Sequence, residues 1–298
     1  MNGWMVICLL MSSYLLTLFW YHAFYHVCNR HIVRENYQKK TIPTAMGISI
    51  TLTVVVLICT LPGSGLAKQD LVLLVSMLMA TCVGLLDDIA NDRRIKGISG
   101  HLQMLWKRKT FTSGGLKAII LTGTAVWTST QLTESWLEMP IGATIIALTA
   151  NTINLFDLRP GRAMKAVILM LLVLFGWIAF HSSISSNFLW KWCIILIGTC
   201  LAYIPKDLKG YAMMGDTGAN ALGILLGSLC LSAFPFGYQW IMLILLLGIH
   251  GIAEIHSISA IIDDNKWLRW LDQWGRPKQC SADEPAVEPE DIQPLPNS

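Results

Sequence analysis

Charge is what this sequence has least of. Asp, Glu, Lys and Arg make up 14% of its 298 residues, against roughly 25% in ordinary soluble domains, while 54% of it is hydrophobic. That excludes a soluble globular domain and points to an integral membrane protein. Neither sign is in excess: a net charge of +3 is too small to suggest a nucleic-acid partner. The eight cysteines include no CxxC pair, so neither a zinc site nor a disulfide framework is indicated. A basic stretch and a small-residue cleavage pattern are missing around the first apolar run, which reads as a retained span rather than a signal peptide. Mid-span ionisable residues and internal repeats, the marks of a transporter, are missing as well.

What is present is apolar and segmented. Nine runs predict an all-α, polytopic membrane fold of about nine transmembrane helices. They are Trp4–Val27, Met46–Leu66, Leu71–Leu86, Gly115–Leu132, Met139–Leu155, Ala163–Phe180, Phe188–Ile204, Gly218–Phe234 and Tyr238–Ile255. Of the 22 Lys and Arg, all but Lys68 and Lys191 are assigned to one side. The positive-inside rule then gives an outside N-terminus and a cytoplasmic C-terminus in the cell membrane. Residues 1–262 form the membrane domain. Within 263–280, Trp267–Trp274 reads as an amphipathic cytoplasmic helix, lying in the headgroup layer or packed on the protein's own loops. Residues 281–298, with five acidic residues and four prolines, predict a disordered acidic tail.

The topology puts the chain's carboxylates in telling places. Asp87 and Asp88 end the third run, where burial and mutual repulsion oppose ionisation unless a cation is near. Asn151, Asn154 and Asp157 end the fifth run, the two amides sharing a helical face. Asp216, in Met214-Gly215-Asp216-Thr217-Gly218, opens the eighth. All three sites fall on the cytoplasmic side, whereas Asp70, Glu134 and Glu138 outside read as solvated charges. Adjacent aspartates suit Mg²⁺, which takes a few carboxylates plus substrate phosphates and water. The glycine-flanked helix start at Asp216 suits a phosphate or a plain acidic cap. Lys40, Arg159 and Arg162 stand where they could neutralise a polyphosphate, or serve topology alone. Together these features favour metal-dependent phosphoryl transfer.

The same residues resemble the motifs of the polyprenyl-phosphate N-acetylhexosamine-1-phosphate transferases (glycosyltransferase family 4), which include the phospho-MurNAc-pentapeptide translocases. Gly84-Leu85-Leu86-Asp87-Asp88 is similar to the family's double-aspartate motif, and Asn151-Thr152-Ile153-Asn154-Leu155-Phe156-Asp157 to its Asn-x-x-Asn-Leu-x-Asp. Met214-Gly215-Asp216-Thr217-Gly218-Ala219 is similar to its Gly-Asp-x-Gly, and Ile42–Gly47 to its Pro-Thr-x-Gly-Gly. The resemblance implies transfer of a sugar-1-phosphate from a UDP-N-acetylhexosamine, or a derivative, to undecaprenyl phosphate, with release of UMP. It implies Mg²⁺, for which Mn²⁺ could stand in, held by Asp216, Asp87 and Asp88, with the same three aspartates catalytic. Asn151, Asn154 and Asp157 would hold the nucleotide sugar or support the metal, aided by Lys40, Arg159 and Arg162. The partners are the two substrates and the bilayer; a homodimer is compatible.

Two departures stand out. After Asp157 the family usually runs Gly-Leu-Asp-Gly-Leu-Ala, but here the chain reads Leu158-Arg159-Pro160-Gly161-Arg162-Ala163, losing an aspartate to Pro160. The translocases' triple-histidine motif is absent, with only His250 and His256 nearby. The sequence therefore leaves open the donor and a catalytically degenerate member acting as a binding or scaffold protein. An intramembrane aspartyl protease is disfavoured, because Met213 replaces the first glycine of its signal.

Overall fold

The computed structural model describes residues 2–61, 67–90, 113–181 and 187–277. The described chain forms eleven helices and one two-stranded hairpin. Helix α1 (Gly3–His31) leads into strands β1 (Val33–Glu35) and β2 (Thr41–Pro43). Then come α2 (Ile48–Thr60), α3 (Lys68–Ala90), α4 (Ser113–Leu132), α5 (Glu138–Phe156) and α6 (Arg162–Phe180). They are followed by α7 (Asn187–Leu208), α8 (Gly215–Ala233), α9 (Phe236–Ile255), α10 (Ile258–Asp264) and α11 (Lys266–Gln273). Among the described residues, each of the nine apolar runs falls mainly in one helix. Six helices, α1, α3, α5, α6, α7 and α9, are long and apolar enough to cross a membrane. Helix α2 has only 13 residues, and α4 and α8 are diluted by Gly, Ser, Thr and Asn.

Helix α8 is the axis of the bundle. Seventeen of its 19 residues are buried, chiefly against α3 and α5 on two sides, with α6, α4 and α2 completing the wrap. Small residues permit that closeness: a Cβ on Gly223 would collide with the backbone of Ala150 on α5. Backbones this near gain dispersion contacts that lipid chains cannot match, which is how helices associate without a hydrophobic drive. Helix α1 is peripheral. Its buried stripe, Leu9, Ser13, Thr17 and Tyr21, recurs every fourth residue and faces α7 and α2. There the Thr17 hydroxyl donates to the Thr53 hydroxyl at 3.1 Å.

The described chain is all-helical as expected, with one small addition: residues 33–35 and 41–43 pair as an antiparallel hairpin in the register Val33–Pro43 and Arg34–Ile42. Two expectations change. Helix α2 starts at Ile48 rather than Met46, since Ala45 adopts a left-handed φ of 64°. Asp70 is not solvated: it is 1% exposed, pairs with Lys191 and accepts the Trp192 indole N–H at 2.9 Å. The two charges meet because α3 and α7 both begin at that end of the bundle. The acidic tail read from residues 281–298 lies outside the described residues.

Candidate active site

Helices α3 and α8 and the cap of α5 bring the carboxylates of the three motifs to one end of the bundle. Helix α3 continues through Ala90, so Asp87 and Asp88 sit in its last turns rather than beyond it. Adjacent residues on a helix point about 100° apart, and here that decides their fates.

Asp88 turns inward and is 2% exposed. Its Oδ1 accepts the Asp216 N–H at 3.2 Å, and its Oδ2 accepts the Thr217 N–H at 3.0 Å and the Thr217 hydroxyl at 2.6 Å. A carboxylate of α3 thus caps α8, satisfying orphan N–H groups at the positive end of the helix dipole. Asp157, just past α5, accepts the Gly215 N–H through Oδ2 at 3.1 Å. Gly215 has a φ of 73°, and a Cβ there would run into Asp88 Oδ2 and Thr44. From the other flank, residues 43–47 grip the same loop: Met213 N donates to Pro43 O at 2.8 Å, and Gly47 N to Met214 O at 3.0 Å. Every group in this ring serves to fix where Asp216 begins.

Asp87 turns the other way. It and Asp216 converge on the Lys117 ammonium from the first turns of α4, at 3.3 Å and 2.8 Å. These three side chains are partly open to solvent, at 21%, 13% and 13%. Arg34 of β1 lies alongside, donating to Asp87 O at 2.7 Å and standing 3.5 Å from Asp88 Oδ1. The carboxyl of Asp157 is held well above the ordinary aspartate range. Burial is the main cause, the charges of Asp207, Asp216 and Asp88 add to it, and the Gly215 hydrogen bond opposes it.

Residues 71–234 match the family model for glycosyl transferase family 4. The chain belongs to that family. A phospho-N-acetylmuramoyl-pentapeptide-transferase of a Synechococcus species is 29% identical over 211 residues, covering 66% of this chain and 58% of that protein. Another protein of that name, from Desulforapulum autotrophicum, is 26% identical over 253 residues, covering 76% of this chain and 67% of that protein. The chain thus spans between about half and two thirds of the length of these curated relatives.

The glycosyl transferase family 4 motifs are gathered unevenly here. Asp87 and Asp216 meet, and Asp88 and Asp157 stand behind them as acceptors for the α8 start. Asn154 is half-buried and Asn151 exposed near the same end. Lys40 is exposed in the hairpin turn, its backbone N–H held by Asn36. The two arginines are engaged elsewhere. Arg159 donates to Asp263 at 2.8 Å and lies over the Tyr37 ring. Arg162 is buried, forked onto both oxygens of Asp272 at 2.8 and 3.1 Å. Its position at the start of α6 faces α10 and α11, which removes it from the expected phosphate-binding set.

Among the described residues, no group of three or more His, Cys, Asp or Glu side chains is arranged to hold a metal ion. Two carboxylates do share one cation, and that set suffices for Mg²⁺ when substrate phosphates and water complete the shell. Asp87 and Asp216 therefore fit a divalent ion. Asp88 does not, because α8 takes both its oxygens.

Two site residues escaped the sequence reading. Lys117 was counted among topological charges, although it falls inside an apolar run, where a lysine is unfavourable unless paired. Arg34 sits in a charged loop and gave no signal. Asp207 of α7 also goes beyond the motifs: 4% exposed, it accepts the Gly161 N–H at 3.0 Å and so anchors the loop after Asp157.

Proposed function

We propose that this chain transfers a sugar-1-phosphate from a UDP-linked N-acetylhexosamine, or a derivative, to undecaprenyl phosphate at the cytoplasmic face of the cell membrane. A lipid phosphate oxygen attacks the β-phosphorus of the donor. The bond from that phosphorus to the bridging oxygen breaks, and UMP leaves with the electron pair. The observation that carries this reading is the convergence of Asp87, Asp216 and Lys117 at one end of a glycosyl transferase family 4 bundle. In the companion topology all nine apolar helices span the bilayer, with the N-terminus outside and the C-terminus inside. This accords with the strong asymmetry of Lys and Arg.

Phosphoryl transfer asks a protein mainly for position and charge. Asp87 and Asp216 would hold Mg²⁺, which when bound neutralises charge on the transferring phosphate. Lys117, on its own helix, is placed to take up negative charge on the bridging oxygen as UMP departs. Arg34 keeps Asp87 in register by binding its carbonyl, and Asp88 keeps Asp216 in register through the α8 amides. The donor would reach these partly exposed side chains from water and the acceptor from the bilayer.

The test is UMP release by purified protein in detergent, with undecaprenyl phosphate, Mg²⁺ and a panel of UDP-N-acetylhexosamines. Release that needs lipid and metal and vanishes in Asp216→Asn supports the proposal and names the donor. No release from folded protein that also fails to bind nucleotide or Mn²⁺ would sink it and favour a degenerate member.

A further inference from the structure

The strongest feature outside the transfer site is α11. We propose that α11 is an interfacial anchor: its Trp267, Trp270 and Trp274 side lies in the headgroup layer of the bilayer, while Asp272 on the opposite side binds it to the bundle.

The helix is fully built. Asn265 Oδ1 accepts the Trp267 and Leu268 N–H groups at 3.0 and 3.2 Å. At the far end Lys165 Nζ donates to the carbonyls of Leu271 and Asp272 at 2.9 and 2.7 Å. Caps at both ends let an eight-residue helix persist that would be marginal alone. Its rotation is fixed by the buried Asp272, held by Arg162 and by Arg276 at 2.9 Å. Arg276 also donates to Pro160 O at 2.8 Å, tying the segment to the loop after Asp157.

With Asp272 facing in, positions 267, 270, 271 and 274 fall on the other side. Trp267, Trp270 and Trp274 are 80%, 60% and 64% exposed there, and Leu271 is 50% exposed. Three exposed tryptophans on one side of a short helix do not suit bulk water; indole rings favour the boundary between headgroups and acyl chains. Two observations select lipid as the occupant. The preceding helix α9 leaves Ile244, Leu245, Ile252 and Ile255 exposed, an apolar surface that leads directly to α10 and α11. Lys266, exposed beside the tryptophans, supplies a positive charge for anionic headgroups. The proposal depends on the chain being in a bilayer and not on the transfer chemistry, so a protein silent in UMP release leaves it standing.

The experiment places a benzophenone amino acid at position 267, 270 or 274, or at 269 on the other side, in the full chain. The variants are reconstituted in nanodiscs of phosphatidylglycerol and phosphatidylcholine, irradiated and analysed by mass spectrometry. Lipid adducts at least severalfold more abundant at 270 and 274 than at 269 are expected. Equal labelling at all four positions, or crosslinks at 270 and 274 that join two copies of the chain in place of lipid, would overturn the proposal. All four positions are exposed, so folding is not put at risk.

Discussion

Asp88 on α3 and Thr217 on α8 are bound twice: one carboxylate oxygen accepts both the backbone N–H of Thr217 and its hydroxyl, at 3.0 and 2.6 Å. The neighbouring Asp87 instead reaches α8 through the side chain of Asp216, both directly and across the Lys117 ammonium the two share. Two carboxylates adjacent in sequence are thus divided between building the site and serving it.

That division predicts different failures. Asp88→Ala leaves buried amides of α8 without their acceptor and Arg34 with the Asp87 carbonyl but no Asp88 charge. It is expected to cost about 3 kcal/mol of stability, read as an earlier thermal transition in detergent, and to abolish activity with it. Asp216→Asn should leave the transition within a degree or two and reduce turnover by about a hundredfold or more. Similar melting losses in both variants would contradict the assignment.

Lys117 binds both Asp87 and Asp216, the two carboxylates that a divalent ion would share. Lys117→Ala is therefore expected to bind Mn²⁺ about tenfold more tightly, an ammonium–carboxylate competition of about 1.4 kcal/mol, as read by electron paramagnetic resonance titration. Turnover should nevertheless fall, since the cation beside the leaving group is gone. Weaker Mn²⁺ binding in the variant would show that the lysine supports the metal rather than competing with it.

The raised pKa of Asp157 fixes a sign. Burial and the nearby carboxylates lift it, so the folded state holds a proton that the unfolded chain releases near the ordinary value of about 3.9. Its contribution to stability is present below that value and is lost as pH rises towards the folded pKa. Asp157→Asn, whose amide oxygen can still accept from Gly215, should flatten this decline as pH rises above the ordinary aspartate range. The check is the melting temperature of both proteins over that rise; parallel curves would count against it. Asp272 behaves oppositely. Burial resists its charge, but Arg162 and Arg276 outweigh that and lower its pKa, so its contribution is lost only in acid.

Asp70 and Lys191 lie at the other end of the bundle and touch no part of the site. Lys191→Met leaves the buried Asp70 charge unmatched and should destabilise by about 3 kcal/mol, and Asp70→Asn, which leaves the half-buried Lys191, should destabilise by less. The double variant should recover part of that loss, with turnover per folded molecule unchanged in all three. Thermal melts and specific activity measured side by side decide the point.

Much of this arrangement was legible in the sequence, and what was not has physical reasons. Apolar periodicity located nine helices, and charge asymmetry indicated which ends belong together. That is why Asp87, Asp88, Asp157 and Asp216 were expected on one face. Periodicity carries no information on which oxygen of Asp88 faces α8, because a one-residue step of about 100° depends on tertiary packing. The positive-inside pattern concealed Lys117 and Arg34 by explaining every basic residue equally well. Arg162 was misplaced for a related reason: its partner Asp272 lies 110 residues away, in a segment that lacks a motif. Asp70 looked solvated because only the approach of α3 to α7 buries it.

The occupied start of α8 has a chemical consequence. A free helix N-terminus attracts phosphate through its amides, yet here an internal carboxylate already holds that place. A diphosphate entering this end of the bundle meets a pair of acids whose two nearby cations, Lys117 and Arg34, are already engaged by carboxylates and a carbonyl. In the proposed reaction the donor must bring its own counter-cation. In that proposed reaction, affinity for the nucleotide sugar would be set by how much free divalent ion accompanies it, and metal supply would act as a valve on flux.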